Sequence, residues 1–108
     1  MKDIDIEVLK TTASKFRKAI EACDKKVLPL WMRDFPRGAC GNTSLLLAKY
    51  LQHSGFGLFN YVCGNRGEQG HAWLQKGKLI VDITADQFEE IQESVLVTID
   101  RHWHKQFK

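Results

Sequence analysis

The chain has 108 residues, 44% hydrophobic and 27% charged, with a net charge of +3. That length supports one domain with its own core and leaves no room for a second. The small, dispersed charge speaks against nucleic acid as a partner, and no apolar run reaches the length of a membrane span.

The first residues, Met1 to Asp5, carry acids where a signal peptide needs a basic start and an apolar stretch. The expected location is therefore the cytoplasm, or outside the cell by a route the sequence does not display. Three cysteines, Cys23, Cys40 and Cys63, leave at least one thiol free and argue against a disulfide framework.

Residues 5–24 predict an amphipathic helix. Leu9, Ala13, Phe16, Ile20 and Cys23 recur at spacings of four and three, which makes Cys23 a core position. The basic residues of this stretch, Arg17 among them, read as a solvated face. Residues 27–36 hold both prolines and Leu30-Trp31-Met32, an irregular segment covering the core. A second helix is expected from Cys40 to about His53. Its run of leucines implies burial on most sides, and Gly55 stops it.

The period then changes to that of strands. Residues 59–63 read as one strand and 65–70 as a polar loop. His71 to Gln75 and Lys78 to Ile83 form a hairpin about Lys76-Gly77. A helical turn within 84–92 and a strand over 94–99 complete an α+β domain, with a buried helix packed on an antiparallel sheet.

Three residues carry the chemistry of this pattern. Cys40 opens a helix between Gly38 and Gly41, where unpaired N–H groups and the helix dipole favour the thiolate. Counting outward from a Lys76-Gly77 turn sets His71 opposite Asp82, near enough for the carboxylate to fix the imidazole tautomer. A nucleophile, a base and an orienting acid suit acyl transfer at an amide, with no cofactor and no metal. Asp86 is a rival carboxylate and reads better as a turn cap. Gln87 reads as a solvated residue, Trp73 as core. Cys23, Cys40, Cys63, His53 and His71 are a competing zinc set without C-x-x-C spacing. His102 and His104 read as surface residues of a strand.

The segments Phe35-Pro36-Arg37-Gly38-Ala39-Cys40-Gly41-Asn42-Thr43-Ser44, Gly70-His71-Ala72-Trp73-Leu74 and Ile80 to Phe88 resemble the papain-like fold domain of bacterial dermonecrotic-type toxins and effectors. More loosely, they resemble transglutaminase-like proteins. The resemblance spans roughly residues 30 to 105. It implies a papain-like core with a Cys40-His71-Asp82 triad, acting as a peptidase, glutamine deamidase or amide-transferring enzyme on a protein or peptide substrate. The papain pattern also has a glutamine shortly before the cysteine as an oxyanion donor, and no glutamine precedes Cys40 here. The alternative is a binding or immunity-type module that keeps the fold without turnover.

Overall fold

Asp5 starts the first helix, α1 (Ile6–Ala22), by accepting the N–H groups of Glu7 and Val8 at 3.0 and 3.3 Å. The computed structural model describes residues 4–24 and 26–108. Leu9, Ala13 and Ile20 of α1 are buried as their spacing requires, and Phe16 is half-buried. Cys23 is not a core residue. The helix ends one residue earlier, so the stripe loses its periodicity there, and the exposed Cys23 thiol donates to Ala19 O at 3.2 Å.

Arg17 corrects the reading of a wholly solvated basic face. It is buried, and its Nη1 donates to Ile83 O and Ser94 O, each at 2.8 Å, and to Asp86 Oδ1 at 2.6 Å. A guanidinium out of water needs partners, and here Nη1 alone, with Nε left without a hydrogen bond, ties α1 to two distant loops. Asp86 is therefore an ion-pair partner of Arg17 and not a cap.

A short 3-10 turn (Leu30–Met32) precedes α2 (Cys40–His53), which begins at Cys40 as expected. Gly55, at φ 92°, follows its end with the left-handed geometry that glycine adopts without strain. The helix is not buried on most sides. Thr43, Ser44, Leu47 and Leu51 face inward, while Leu45 and Leu46 lie exposed on the outer surface. Among the described residues no further layer covers α2, so the outer leucines stay exposed. Among the described residues, no helix is long and apolar enough to cross a membrane.

Four strands follow: β1 (Asn60–Arg66), β2 (Gln69–Lys76), β3 (Leu79–Asp82) and β4 (Leu96–Thr98). They form one antiparallel sheet in sequence order. The segment 65–70 is not a loop, because β1 and β2 continue into it and turn over Gly67-Glu68, with Gly67 at φ 63°. The second hairpin turns over Gly77-Lys78, one residue later than expected. Gly77 takes φ 59°, the geometry demanded at the first position of a two-residue loop. Leu74 consequently pairs with Val81 and not with Leu79.

The sheet separates two cores. On one face Leu9, Ala13, Leu47 and Leu51 of the helices meet Leu74, Leu79 and Val81. On the other, Trp73 and Ile80 meet Phe88 and Phe107, flanked by Val62 and Trp103. This second layer is laid down by residues 85–108. Its last residues run close along β1, where Asn65 and Lys108 exchange backbone hydrogen bonds of 3.1 and 2.9 Å. A Cβ at position 64 would stand 2.6 Å from Phe107 O, so only glycine permits the approach.

Leu74 is fully buried at the centre of the helix-facing core. Leu74→Ala should therefore lower the unfolding free energy by roughly 2–5 kcal/mol, read from urea unfolding followed by circular dichroism.

Candidate active site

Cys40 is the first residue of α2, and it is half-buried. The early N–H groups of a helix have no carbonyl partners within it, and here they lie at the Cys40 end. Gly41 leaves room for Tyr61, whose hydroxyl would sit 3.1 Å from an added Cβ.

His71 and Asp82 do meet, although the register that was expected to join them is wrong. With Leu74 opposite Val81, continuing the register puts Asp82 across from Trp73, so His71 is its diagonal neighbour. Moving a two-residue turn by one position shifts each partner by two residues. That keeps both side chains on the same face, and a long imidazole spans the diagonal. His71 Nε2 lies 2.6 Å from Asp82 Oδ2, and both side chains are fully buried.

A carboxylate only accepts, so Nε2 of His71 carries the proton toward Asp82 and Nδ1 is left as the basic nitrogen. Nδ1 faces Gln87, whose Nε2 lies 3.1 Å away. Gln87 is half-buried in the short 3-10 turn Ala85–Gln87, not solvated as its polarity suggested. Trp73 is core, and its ring lies beside the imidazole.

His104 belongs to this group as well. It is buried in a 3-10 turn (His104–Gln106), not exposed on a strand, and its Nε2 lies 2.8 Å from Asp82 Oδ2. Of His102 and His104, the first alone is exposed. Asp82 Oδ1 accepts the N–H of Thr84 at 3.0 Å. The reach from residue 104 to residue 82 depends on how the C-terminal segment crosses the sheet, and the local pattern around His102-Trp103-His104 carries no trace of it.

The charges respond to this arrangement. Interaction with His71 draws the Cys40 pKa down, against burial that pushes it up; the Ala72 backbone and the Gln87 amide add to the lowering. The side-chain interaction with the ring is the largest of these contributions and Coulombic attraction a smaller one, although among the described residues the thiol closes no hydrogen bond of standard length and angle with the ring. Resting catalytic pairs are commonly loose in this way. Burial alone would pull His71 down, but its hydrogen bond to Asp82 and its interaction with Cys40 outweigh that and raise it to about 9. Burial would likewise raise Asp82, and the donations from His104 and His71 turn the net shift downward. A lowered thiol beside a raised imidazole favours the thiolate–imidazolium pair.

No three members of the cysteine–histidine zinc set gather among the described residues. The one trio that does approach is His71, Asp82 and His104. Tetrahedral zinc with bonds of about 2.0–2.2 Å holds its donor atoms about 3.3 Å apart. The spacings of 2.6 and 2.8 Å here are those of shared protons, so the trio as arranged does not fit a zinc ion. An open cavity of about 580 Å³ lies beside His104, lined by Trp73, Gln75, Arg101 and Lys105 among others, and does not include Cys40.

No family model, curated protein or solved structure matches the chain.

The lowered Cys40 pKa has a direct readout. At about pH 6, iodoacetamide should modify Cys40 at least about tenfold faster than it does in a His71→Ala variant. Peptide-resolved mass spectrometry keeps Cys40 distinct from the exposed Cys23 and Cys63. Equal rates in the two proteins would mean that the histidine does not activate the thiol.

Proposed function

We propose that the chain is a cysteine-dependent acyl-transfer enzyme acting on amides of proteins or peptides, with a papain-like or transglutaminase-like arrangement of its core. The observation that carries this reading is the opposed pair of shifts, Cys40 down and His71 up, in a chain of side chains that ends on the buried Asp82. Structural cysteines in cores have no such partner, and perturbed pairs of this kind concentrate at functional sites. In the sequence, the segments around Cys40, His71 and Asp82 resemble bacterial toxin and effector domains, which tips the choice among amides toward a glutamine side chain.

The steps follow from the positions. The Cys40 thiolate attacks the amide carbonyl carbon, and a C–S bond forms as the carbonyl electrons move to oxygen. The backbone N–H of Cys40 supplies one donor to that oxyanion. Gln87 supplies the second: when Nδ1 of the charged His71 turns its proton to the thiolate, the amide N–H of Gln87 is released from the ring. The glutamine missing upstream of the cysteine is thus replaced by one downstream of Asp82. His71 gives its Nδ1 proton to the leaving nitrogen, the C–N bond breaks, and ammonia or an amine departs. Water, deprotonated by His71, then attacks the thioester and frees Cys40; an amine in its place gives transfer. Asp82 holds the imidazole throughout, and stabilises its charge.

Sign and window follow from the shifts. On the acid side activity should fall as the thiolate takes up a proton, below the usual thiol value of 9.0. On the alkaline side it should fall as His71 loses its proton near pH 9, when the acid needed by the leaving group disappears.

The test is to incubate the protein with a host-cell lysate, following ammonia release and, by mass spectrometry, glutamine conversion and peptide-bond cleavage. Cys40→Ala should abolish every product while the circular dichroism spectrum stays that of the parent. Asp82→Asn should cost roughly two to four orders of magnitude in rate through the wrong tautomer, and Gln87→Ala roughly 100- to 1,000-fold through the lost oxyanion donor. A chelator should change nothing. Products that persist in Cys40→Ala would refute the reading.

A further inference from the structure

The carboxylate of Asp82 is shared. Its Oδ2 accepts from Nε2 of His71 at 2.6 Å and from Nε2 of His104 at 2.8 Å, while Oδ1 takes the Thr84 N–H. The triad logic uses only the first of these bonds. We propose that His104 is a positioning residue of the site: its Nε2–H fixes the rotamer of the Asp82 carboxylate and keeps it ionised, so that His71 has a permanent anion behind it. This rests on the catalytic reading of Cys40, His71 and Asp82.

Three observations support the assignment. The first is burial. Asp82 is 1% exposed and His104 2%, and among the described residues no Lys or Arg donates to the carboxylate. A buried carboxylate without water keeps its charge only through hydrogen bonds and neighbouring positive charge. The second is the tautomer. His104 Nδ1 is buried without a partner. A bare lone pair there is tolerable, whereas an orphaned N–H would be costly, so the ring proton belongs on Nε2 from both ends of the ring. The third is the clamp. The His104 ring stands edge-on to Trp73 and Trp103, with centroids 4.7 and 4.8 Å away, so two indoles pack against it as it reaches Asp82.

The other charged groups around the carboxylate are accounted for. His71 of β2 faces it, with Cys40 of α2 beyond that ring. Arg66 of β1 covers Phe88, Trp103 and Phe107 and pairs with Glu90 at the outside of the aromatic layer. Arg101, Lys105 and Asp100 line the open cavity on the far side of His104. Arg17 is committed to Asp86 and two carbonyls. Loss of the His104 donor should therefore let Asp82 take up a proton at higher pH, with nothing nearby to replace it. His71 then loses its counter-charge, and the thiolate–imidazolium pair fails earlier on the acid side.

Two variants test this. His104→Phe keeps an aromatic ring and removes the donor; His104→Gln returns an N–H at similar reach. Each is checked by circular dichroism and thermal unfolding, and the rate of Cys40 alkylation is followed from acid to alkaline pH. The acid limb should move up by about one pH unit in His104→Phe, and return close to the parent position in His104→Gln. A folded His104→Phe with the parent profile overturns the proposal, as does a His104→Gln that keeps the shifted one. Should His104→Phe not fold, ¹⁵N spectra of the imidazoles in the parent protein decide. Both His71 and His104 should carry a proton on Nε2, His71 with a second on Nδ1 while it is charged, and both should respond to Asp82→Asn; a response from His71 alone overturns the proposal. If parent Cys40 shows no activation at all, the enzyme reading fails, and the ¹⁵N spectra still report on the His104 bond by themselves.

Discussion

A single carboxylate inside the protein sets the terms for everything near it. Asp82 ends β3 with both oxygens out of water, and it holds its charge against burial only because two imidazoles and a backbone N–H converge on it. The sheet, the C-terminal segment and the turn after β3 each supply one of those donors. Removing any one of the three leaves a buried anion short of partners, and unpaired buried charge is among the most destabilising states a core can hold. The same constraint sets the electrostatics around it: an ionised acid behind His71 helps lift that ring to about 9, and the ring in turn lowers the Cys40 pKa.

Arg17 plays the corresponding part on the other side of the molecule. It is a cation brought indoors, and its Nη1 reaches Asp86, Ile83 O and Ser94 O. The short stretch from Asp82 to Gln87 is thus held at both ends, with Asp82 under the histidines and Asp86 on the arginine. Gln87, the next residue, inherits a fixed position beside His71. The order of the site comes from these two buried ions more than from the aliphatic core, which supplies cohesion without direction.

Local periodicity made much of this visible in the sequence. The spacing in α1, the glycines about Cys40 and the alternation of β2 and β3 placed both helices and the central hairpin. Parity carried the His71–Asp82 contact even though the turn falls on Gly77-Lys78. What stayed hidden depends on partners far along the chain. Cys23 misleads because a stripe does not say where its helix stops. Leu45 and Leu46 mislead because an apolar run does not reveal whether a further layer covers it. Arg17, Gln87 and His104 are polar residues whose roles exist only after the chain has crossed the sheet, and a polar residue read by itself belongs in water. One cue was present: an acid between Val81 and Ile83 demands burial with donors, and a search for unassigned histidines would have raised His104.

The two-core division also gives the protein an optical property. Trp73 and Trp103 both lie in the aromatic layer, with ring centroids 5.7 and 5.6 Å from that of His71. Protonated imidazole quenches indole emission on contact, and the neutral ring does so far less. The emission of these two tryptophans should therefore brighten as His71 discharges, an intrinsic signal for the proton at the centre of the site.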